Sequence, residues 1–441
     1  MRSFISILFS IFFSNLIAQS ITQNPLSYFG IGEQNFGSNA IYDALGRNSV
    51  NYYDSSQLNI FNPASYSSMS SGNTLLTVGL NGRLSKFSEL NNDALRITIM
   101  PDQFALGFKL SKQIGAAFGL KPYSRRGYDI TEYDSINLLI NKYEGSGGTQ
   151  AFFLGAGFRI FKLKTSNLSL GFNANYIFGS VINSRNSKLF STSNSTPAGI
   201  SNSTIKLNAI NIDLGISFEQ MLSKNHSFIL TGAFTPNLLS QNLKVSEGLF
   251  YANSSSAGVI YDTINYNVIS SSINNSALKF GLSYRINLKS WQRNMRFINP
   301  SILFLASYST METNFSTSSK SSNEMNQISF GIQFAPETKI FENNINLKFL
   351  EKINYRIGFY KQQNSINALS NLNYNDIGFT FGLGIPIIIQ QSLSSFNASF
   401  SFGNCNTKNS SSLSEKYFGI NFGFVFSPAK FDRWFRKRKL D

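Results

Sequence analysis

Tyr417-Phe418-Gly419-Ile420-Asn421-Phe422-Gly423-Phe424-Val425-Phe426 alternates without a break. Even positions carry Phe418, Ile420, Phe422, Phe424 and Phe426; odd positions carry Tyr417, Gly419, Asn421, Gly423 and Val425. Side chains alternate across a strand, so the segment predicts one wholly apolar face and one mostly small or polar face. A soluble sheet buries its apolar face and puts charge on the other. Here glycine, asparagine and tyrosine take that place, as in a strand with lipid outside and a wet lumen inside.

The pattern recurs upstream. Ile210, Ile212, Leu214, Ile216 and Phe218 share a face against Asn211, Asp213, Gly215, Ser217 and Glu219. Leu278, Phe280, Leu282, Tyr284 and Ile286 oppose Lys279, Gly281, Ser283 and Arg285. Placing Lys279 or Arg285 in lipid would cost about 2–4 kcal/mol near the midplane, so those residues face the lumen and the register follows. About fourteen such segments run from Thr74–Ser85 to Tyr417–Phe426, the third over Ile114–Ile130 and the ninth over Met295–Met311. The fold class is therefore all-β: a transmembrane antiparallel β-barrel of about 14 strands.

Connection lengths support this independently. Short ones (Ser111–Gln113, Phe161–Asn167, Gln220–His226, Ile387–Gln391) take turns with long ones (Thr131–Gly148, Arg185–Thr204, Thr235–Asn275, Glu312–Asn326, Cys405–Lys416). Tight periplasmic turns and extended outer loops give that asymmetry. Cys405 is thereby expected at the start of an extracellular loop. Glu337–Glu351 should be short and is long, which implies either a periplasmic excursion or a miscounted hairpin.

Composition agrees. The 441 residues include 42 phenylalanines and 32 glycines but only 14% charged residues, against roughly 25% in soluble proteins. Arg2, the apolar Phe4–Leu8 and Ile11–Phe13, and Ala18 before Gln19 read as a secretory signal peptide over residues 1–18. No apolar run near 18 residues follows, so a membrane passage has to be made by strands. Cys405 is the single cysteine and His226 the single histidine, which excludes an internal disulfide and a cysteine or histidine metal cluster. No cofactor or metal is expected. The charge of +15 is scattered apart from Arg433, Arg436, Lys437, Arg438 and Lys439, in a basic tail over residues 428–441. An exported chain with that distribution does not point to nucleic acid.

Between the leader and the first strand, residues 19–72 show no sustained period, yet they carry Tyr28, Phe29, Tyr52, Tyr53 and Phe61. Fifty irregular residues rich in aromatics are expected to pack inside something larger. Within them Asn62-Pro63-Ala64 predicts a tight turn.

That triplet just upstream of the first strand, with Leu45-Gly46-Arg47 and Asp54 before it, resembles the FadL-type family of outer-membrane transporters for hydrophobic compounds. Tyr355-Arg356-Ile357-Gly358-Phe359 and Gly382-Leu383-Gly384-Ile385-Pro386 add weaker patches. The resemblance implies a cell outer membrane location in a Gram-negative bacterium and an N-terminal hatch (19–72) inside a barrel (73–427). It carries over Asn62, Pro63 and Ala64 as the hatch motif. It also implies passive uptake of hydrophobic small molecules such as long-chain fatty acids, leaving sideways through a gap at a distorted strand. Pro122 makes the third strand a candidate for that role, Pro101 and Pro300 interrupt the second and ninth likewise, and a simple end of pairing near a rim explains each equally well.

A carboxylate-bearing lipid would need a cation beside an apolar slot. Arg159, Lys279, Arg285 and Arg356 are the lumen candidates, with Arg125 and Arg126 near an outer loop; pairing with acids such as Asp213 and Glu219 is the plain alternative. The expected partners are outer-membrane lipid and a hydrophobic ligand. The competing reading is a non-transporting barrel subunit or docking platform of an outer-membrane secretion or assembly complex, which would bind other outer-membrane or periplasmic proteins. An enzyme is not expected: a Ser-His hydrolase would need His226, which lies in a periplasmic turn.

Overall fold

The structure, a computed structural model, describes residues 24–34, 39–70, 74–89, 92–134, 139–189, 197–237, 241–253, 260–293, 296–316, 320–340, 347–367, 371–389, 392–408 and 413–428. Residues 1–18, read from the sequence as a signal peptide, and the basic run Arg433–Lys439 lie outside these residues.

Fourteen antiparallel strands form the wall. They are β1 (Thr74–Glu89), β2 (Asn92–Lys109), β3 in two parts (Ile114–Arg125 and Tyr128–Asp134), β4 (Leu139–Lys162), β5 (Ser166–Leu189) and β6 (Pro197–Met221). β7 also has two parts (His226–Thr235 and Gln241–Asn253), followed by β8 (Ile260–Asn287), β9 (Ser301–Ser316) and β10 (Lys320–Ala335). β11 (Asn354–Asn367), β12 (Asn371–Ile389), β13 (Ser392–Thr407) and β14 (Ser414–Phe426) complete the circuit. β14 returns to β1 in unbroken register from Phe426↔Leu76 to Ser414↔Ser88, so the barrel is closed.

The alternation has the expected sense. In β14, Tyr417 and Val425 face inward at 5% and 2% exposure, while Phe422 and Phe424 face outward at 44% and 38%. β1 starts and β14 ends at the end that carries the tight turns, which outer-membrane barrels place in the periplasm.

The long connections differ from expectation. Most of Thr131–Gly148, Arg185–Thr204 and Glu312–Asn326 is strand, with pairs reaching Asp134↔Leu139, Ser187↔Gly199 and Ser316↔Lys320. Beyond the lipid both faces of a strand are wet. The ladder bonds then hold it without an apolar face, and no period shows in the sequence. For the same reason Cys405 is not in a loop: it lies within β13 and is buried.

At the turn end, one boundary differs and one open question is decided. β9 begins at Ser301, not Met295, and Pro300 precedes the strand, its carbonyl accepting from Leu288 N at 2.9 Å. The turn before it holds a small hairpin, Trp291–Arg293 with Arg296–Ile298. The Glu337–Glu351 connection carries a one-turn helix, Phe349–Lys352, and β10 and β11 pair directly, so among the described residues it adds no strand to the wall.

Candidate functional site

Residues 39–70 occupy the lumen, and the wall is shaped to receive them. Asn62 is an N-cap: its Oδ1 accepts from Ala64 N at 3.2 Å and its Nδ2 donates to Val50 O at 3.0 Å. Pro63 opens a 3₁₀ helix, Pro63–Ser68, at the position where a missing N–H costs nothing. The expected tight turn is therefore a capped helical turn. Burial pushes the Tyr66 phenol well above its ordinary value, leaving a neutral donor to Asn173 Oδ1 at 3.0 Å.

This turn rests on a row of glycines. Gly115, Gly157, Gly171 and Gly215 are cross-strand partners in sequence across β3, β4, β5 and β6. A Cβ on Gly171 would stand 2.5 Å from Ala64 N, and one on Gly215 would stand 2.9 Å from Pro63 Cδ. Across the barrel Gly331 pairs with Gly358, and a Cβ on Gly331 would come within 2.6 Å of Leu45 O. Wall and hatch touch backbone to backbone at these points.

Hydrogen bonds tie the hatch to strands all around. Gly46 N donates to Thr380 Oγ1 at 3.0 Å, and Asn51 Nδ2 donates to Leu282 O and Ala306 O at 2.9 and 3.0 Å. Ser67 meets Ser169 at 2.8 Å, Gln57 donates to Ser395 at 2.9 Å, and Asn421 donates to Asp43 at 2.6 Å. Arg47 pairs with Asp376 at 3.2 Å and stacks on Tyr360, its guanidinium carbon 3.7 Å from the ring centre.

Among the described residues the wall parts between β2 and β3. Pairing of β2 with β3 runs only from Lys109↔Gly115 to Phe104↔Leu120. Above it β2 keeps to β1, while β3 slips register between Pro122 and Ser124 and then breaks at residues 126–127. The chain's own N-terminal segment fills the place. Glu33 and Gln34 pair as a short strand with Arg125 and Ser124. Gly32, at φ 99°, lies against the Arg125 carbonyl, where a Cβ would collide. Asn24 N donates to Gly127 O at 2.7 Å, and the fully buried Arg126 donates to Ser27 O at 3.0 Å and Asn183 Oδ1 at 2.9 Å. Arg125 reaches across to Pro101 O at 2.7 Å.

The four lumen cations do not meet at one slot. Arg159 and Arg285 line a shared periplasmic vestibule and donate to hatch carbonyls, Ser67 O at 3.0 Å and Tyr53 O at 3.5 Å. Arg356 is buried between Gln333 and Asn397, each at 2.8 Å. Lys279 lies in a separate cavity with Lys121 and Asp213, 5.7 Å from the Phe61 ring centre. There Lys121 pairs with Asp213 at 3.3 Å.

Sequence reasoning did not single out Arg126 as a seal or the glycines as a row. Each glycine reads as an ordinary lumen-facing residue on its own strand, and only the register aligns them. Gly-Ile-Gly-Glu at 30–33, next to the aromatic pair Tyr28-Phe29, was the available sign of a sharply bent N-terminal segment.

A family model described as BamG matches residues 1–441. This chain belongs to the BamG family. No curated protein matches this BamG-family chain by sequence. Among solved structures it is similar to the Pseudomonas putida toluene transporter TodX, at 15% identity over 89% of this chain and 98% of that one, TM-score 0.50. The TodX deltaS2S3 mutant, a monoaromatic hydrocarbon channel, aligns at 15% identity over 89% and 98%, TM-score 0.52. A Pseudomonas aeruginosa FadL homologue aligns at 13% identity over 89% and 98%, TM-score 0.47. At such identities the likeness is one of fold alone, a closed antiparallel barrel with an N-terminal segment in its lumen.

Proposed function

We propose that this chain is a non-transporting barrel subunit and docking platform of the outer-membrane barrel-assembly machinery. The observation that carries the reading is the filled wall opening: residues 24–34 occupy the stretch where β2 and β3 part, with Arg126 buried against them. A hatch seated on glycine rows and bonded to many strands supports it, as does membership in a family named BamG. The partners implied are other outer-membrane and periplasmic proteins of such a complex.

The second reading is passive uptake of hydrophobic small molecules such as long-chain fatty acids, and the parted strands favour it. Against it, Glu33, Asp102, Gln103 and Arg125 surround the parting. An apolar solute passing there would offer these polar groups no hydrogen bonds, at a cost of about 1–3 kcal/mol for each one left unpaired. The division we propose for the chain is a signal peptide over 1–18, a hatch over 19–72 bearing Asn62, Pro63 and Ala64, a barrel over 73–427 and a basic periplasmic tail over 428–441.

Conditional depletion in the source bacterium tests the reading. Folded outer-membrane barrels, assayed by heat-modifiable gel mobility, are expected to fall while the chain is depleted. Unchanged barrel levels together with a specific defect in hydrophobic-compound uptake would overturn it.

A further inference from the structure

The outer wall is not uniform around its circumference. Ala306 of β9 points outward between Leu282 of β8 and Phe330 of β10, its register partners. Being small, it leaves a groove walled by Phe304, Ile332, Ile357, Phe359 and Phe379. The strand pairing beneath is continuous from β8 to β12, so the groove is a furrow in an intact wall.

The same sector carries a lip at the periplasmic rim. The Trp291–Ile298 hairpin and the β10–β11 connection are joined there: Thr338 N donates to Asn299 O at 3.0 Å, and Asn299 N donates to Glu337 at 3.3 Å. From this lip Trp291, Phe297, Phe349 and Leu350 stand exposed, the last two at 63% and 64%. Lys289, Lys339 and Lys348 are exposed beside them, with Lys352 half-buried. Among the described residues of the lip, the acid Glu351 is half-buried and accepts from Lys348 N at 2.9 Å.

One bond connects lip and groove. Tyr355 Oη donates to Leu350 O at 2.9 Å. Tyr355 shares the outward face of β11 with groove residue Ile357, two residues and so about 7 Å away. The one-turn helix Phe349–Lys352 thus folds over the lipid-facing side of the rim. Aromatic residues at the boundary with lysines beside them match the chemistry of a phospholipid interface.

We propose that the β8–β12 sector is a phospholipid seat of the periplasmic leaflet. One acyl chain lies in the furrow over Ala306, and the lysines of the lip hold the headgroup phosphate, with Trp291 and Phe349 at the level of the glycerol backbone. The surface is continuous with the lipid-facing band, and its cationic edge complements phosphate.

The test uses the full chain with Trp434→Phe, so that Trp291 is the single tryptophan, in vesicles of phosphatidylethanolamine and phosphatidylglycerol. Phosphatidylcholine spin-labelled high on its acyl chain is expected to quench Trp291 at least twofold more than a label near the chain end, with acrylamide quenching little. Native mass spectrometry of the detergent-extracted protein is expected to show a retained phospholipid. Ala306→Phe, or Lys348→Glu with Lys352→Glu, should lose it while heat-modifiable mobility confirms a folded barrel. Free quenching by acrylamide, equal lipid retention in folded variants, or shielding of Trp291 only when a protein partner copurifies would each overturn the proposal.

Discussion

Gly171 of β5 has no room for a side chain, because Ala64 N of the hatch lies 2.5 Å from where its Cβ would stand. The obstacle is backbone, which cannot swing aside. Gly171→Val is therefore expected to lift the Pro63–Ser68 turn and cost about 1–3 kcal/mol, as overpacking does. Limited proteolysis of the folded barrel in detergent checks it: the hatch should become cleavable while the wall stays intact. Gly199, with open space around its Cβ position, is the control and should tolerate valine.

Asn62 supplies both an acceptor and a donor within the hatch. Asn62→Ala should destabilise the turn by about 1 kcal/mol for the lost cap. Both Asn62→Ala and Asn62→Asp lose the amide donor to Val50 O, but Asn62→Asp keeps the capping oxygen, so the two differ in the cap alone. Hydrogen exchange at Ala64 N reads the difference directly, and equal exchange in both variants would contradict this account of the motif.

Tyr417, the first residue of the stretch that revealed the fold, turns its hydroxyl to Asp376 at 2.6 Å while Arg83 stacks on its ring at 3.7 Å. Tyr417→Phe keeps the stack and removes the hydroxyl. The buried carboxylate then retains Arg47 but loses a donor, an expected cost of about 1–3 kcal/mol. Thermal unfolding in detergent should register a lower midpoint.

The wall was legible because lipid imposes a strict alternation. Phe418, Ile420 and Phe422 cannot trade faces with Gly419 and Asn421 without exposing polar groups to hydrocarbon. Where lipid ends, the signal ends too. The paired stretch Arg185–Leu189 reads as loop because Asn186 and Ser187 obey no apolar face. The hatch was legible only as aromatic residues without a period. Its partners, such as Thr380 for Gly46 and Asn173 for Tyr66, lie hundreds or scores of positions away, and only the closed barrel brings them together.

Orientation has its own check. Cys405 is buried in β13, so an impermeant maleimide should leave the intact cell's protein unlabelled. In a Cys405→Ser background, Lys408→Cys at the loop end should label on intact cells. Lys224→Cys at the turn end should label only after the outer membrane is opened. Reversed labelling would invert the barrel.

The central claim, that this barrel is a docking subunit with a sealed lumen, meets its most direct test in native mass spectrometry of protein gently extracted from its own membrane. The account predicts a complex of defined stoichiometry with other outer-membrane or periplasmic proteins and no hydrophobic compound inside the barrel. A solitary chain carrying a hydrophobic small molecule in its lumen would contradict it.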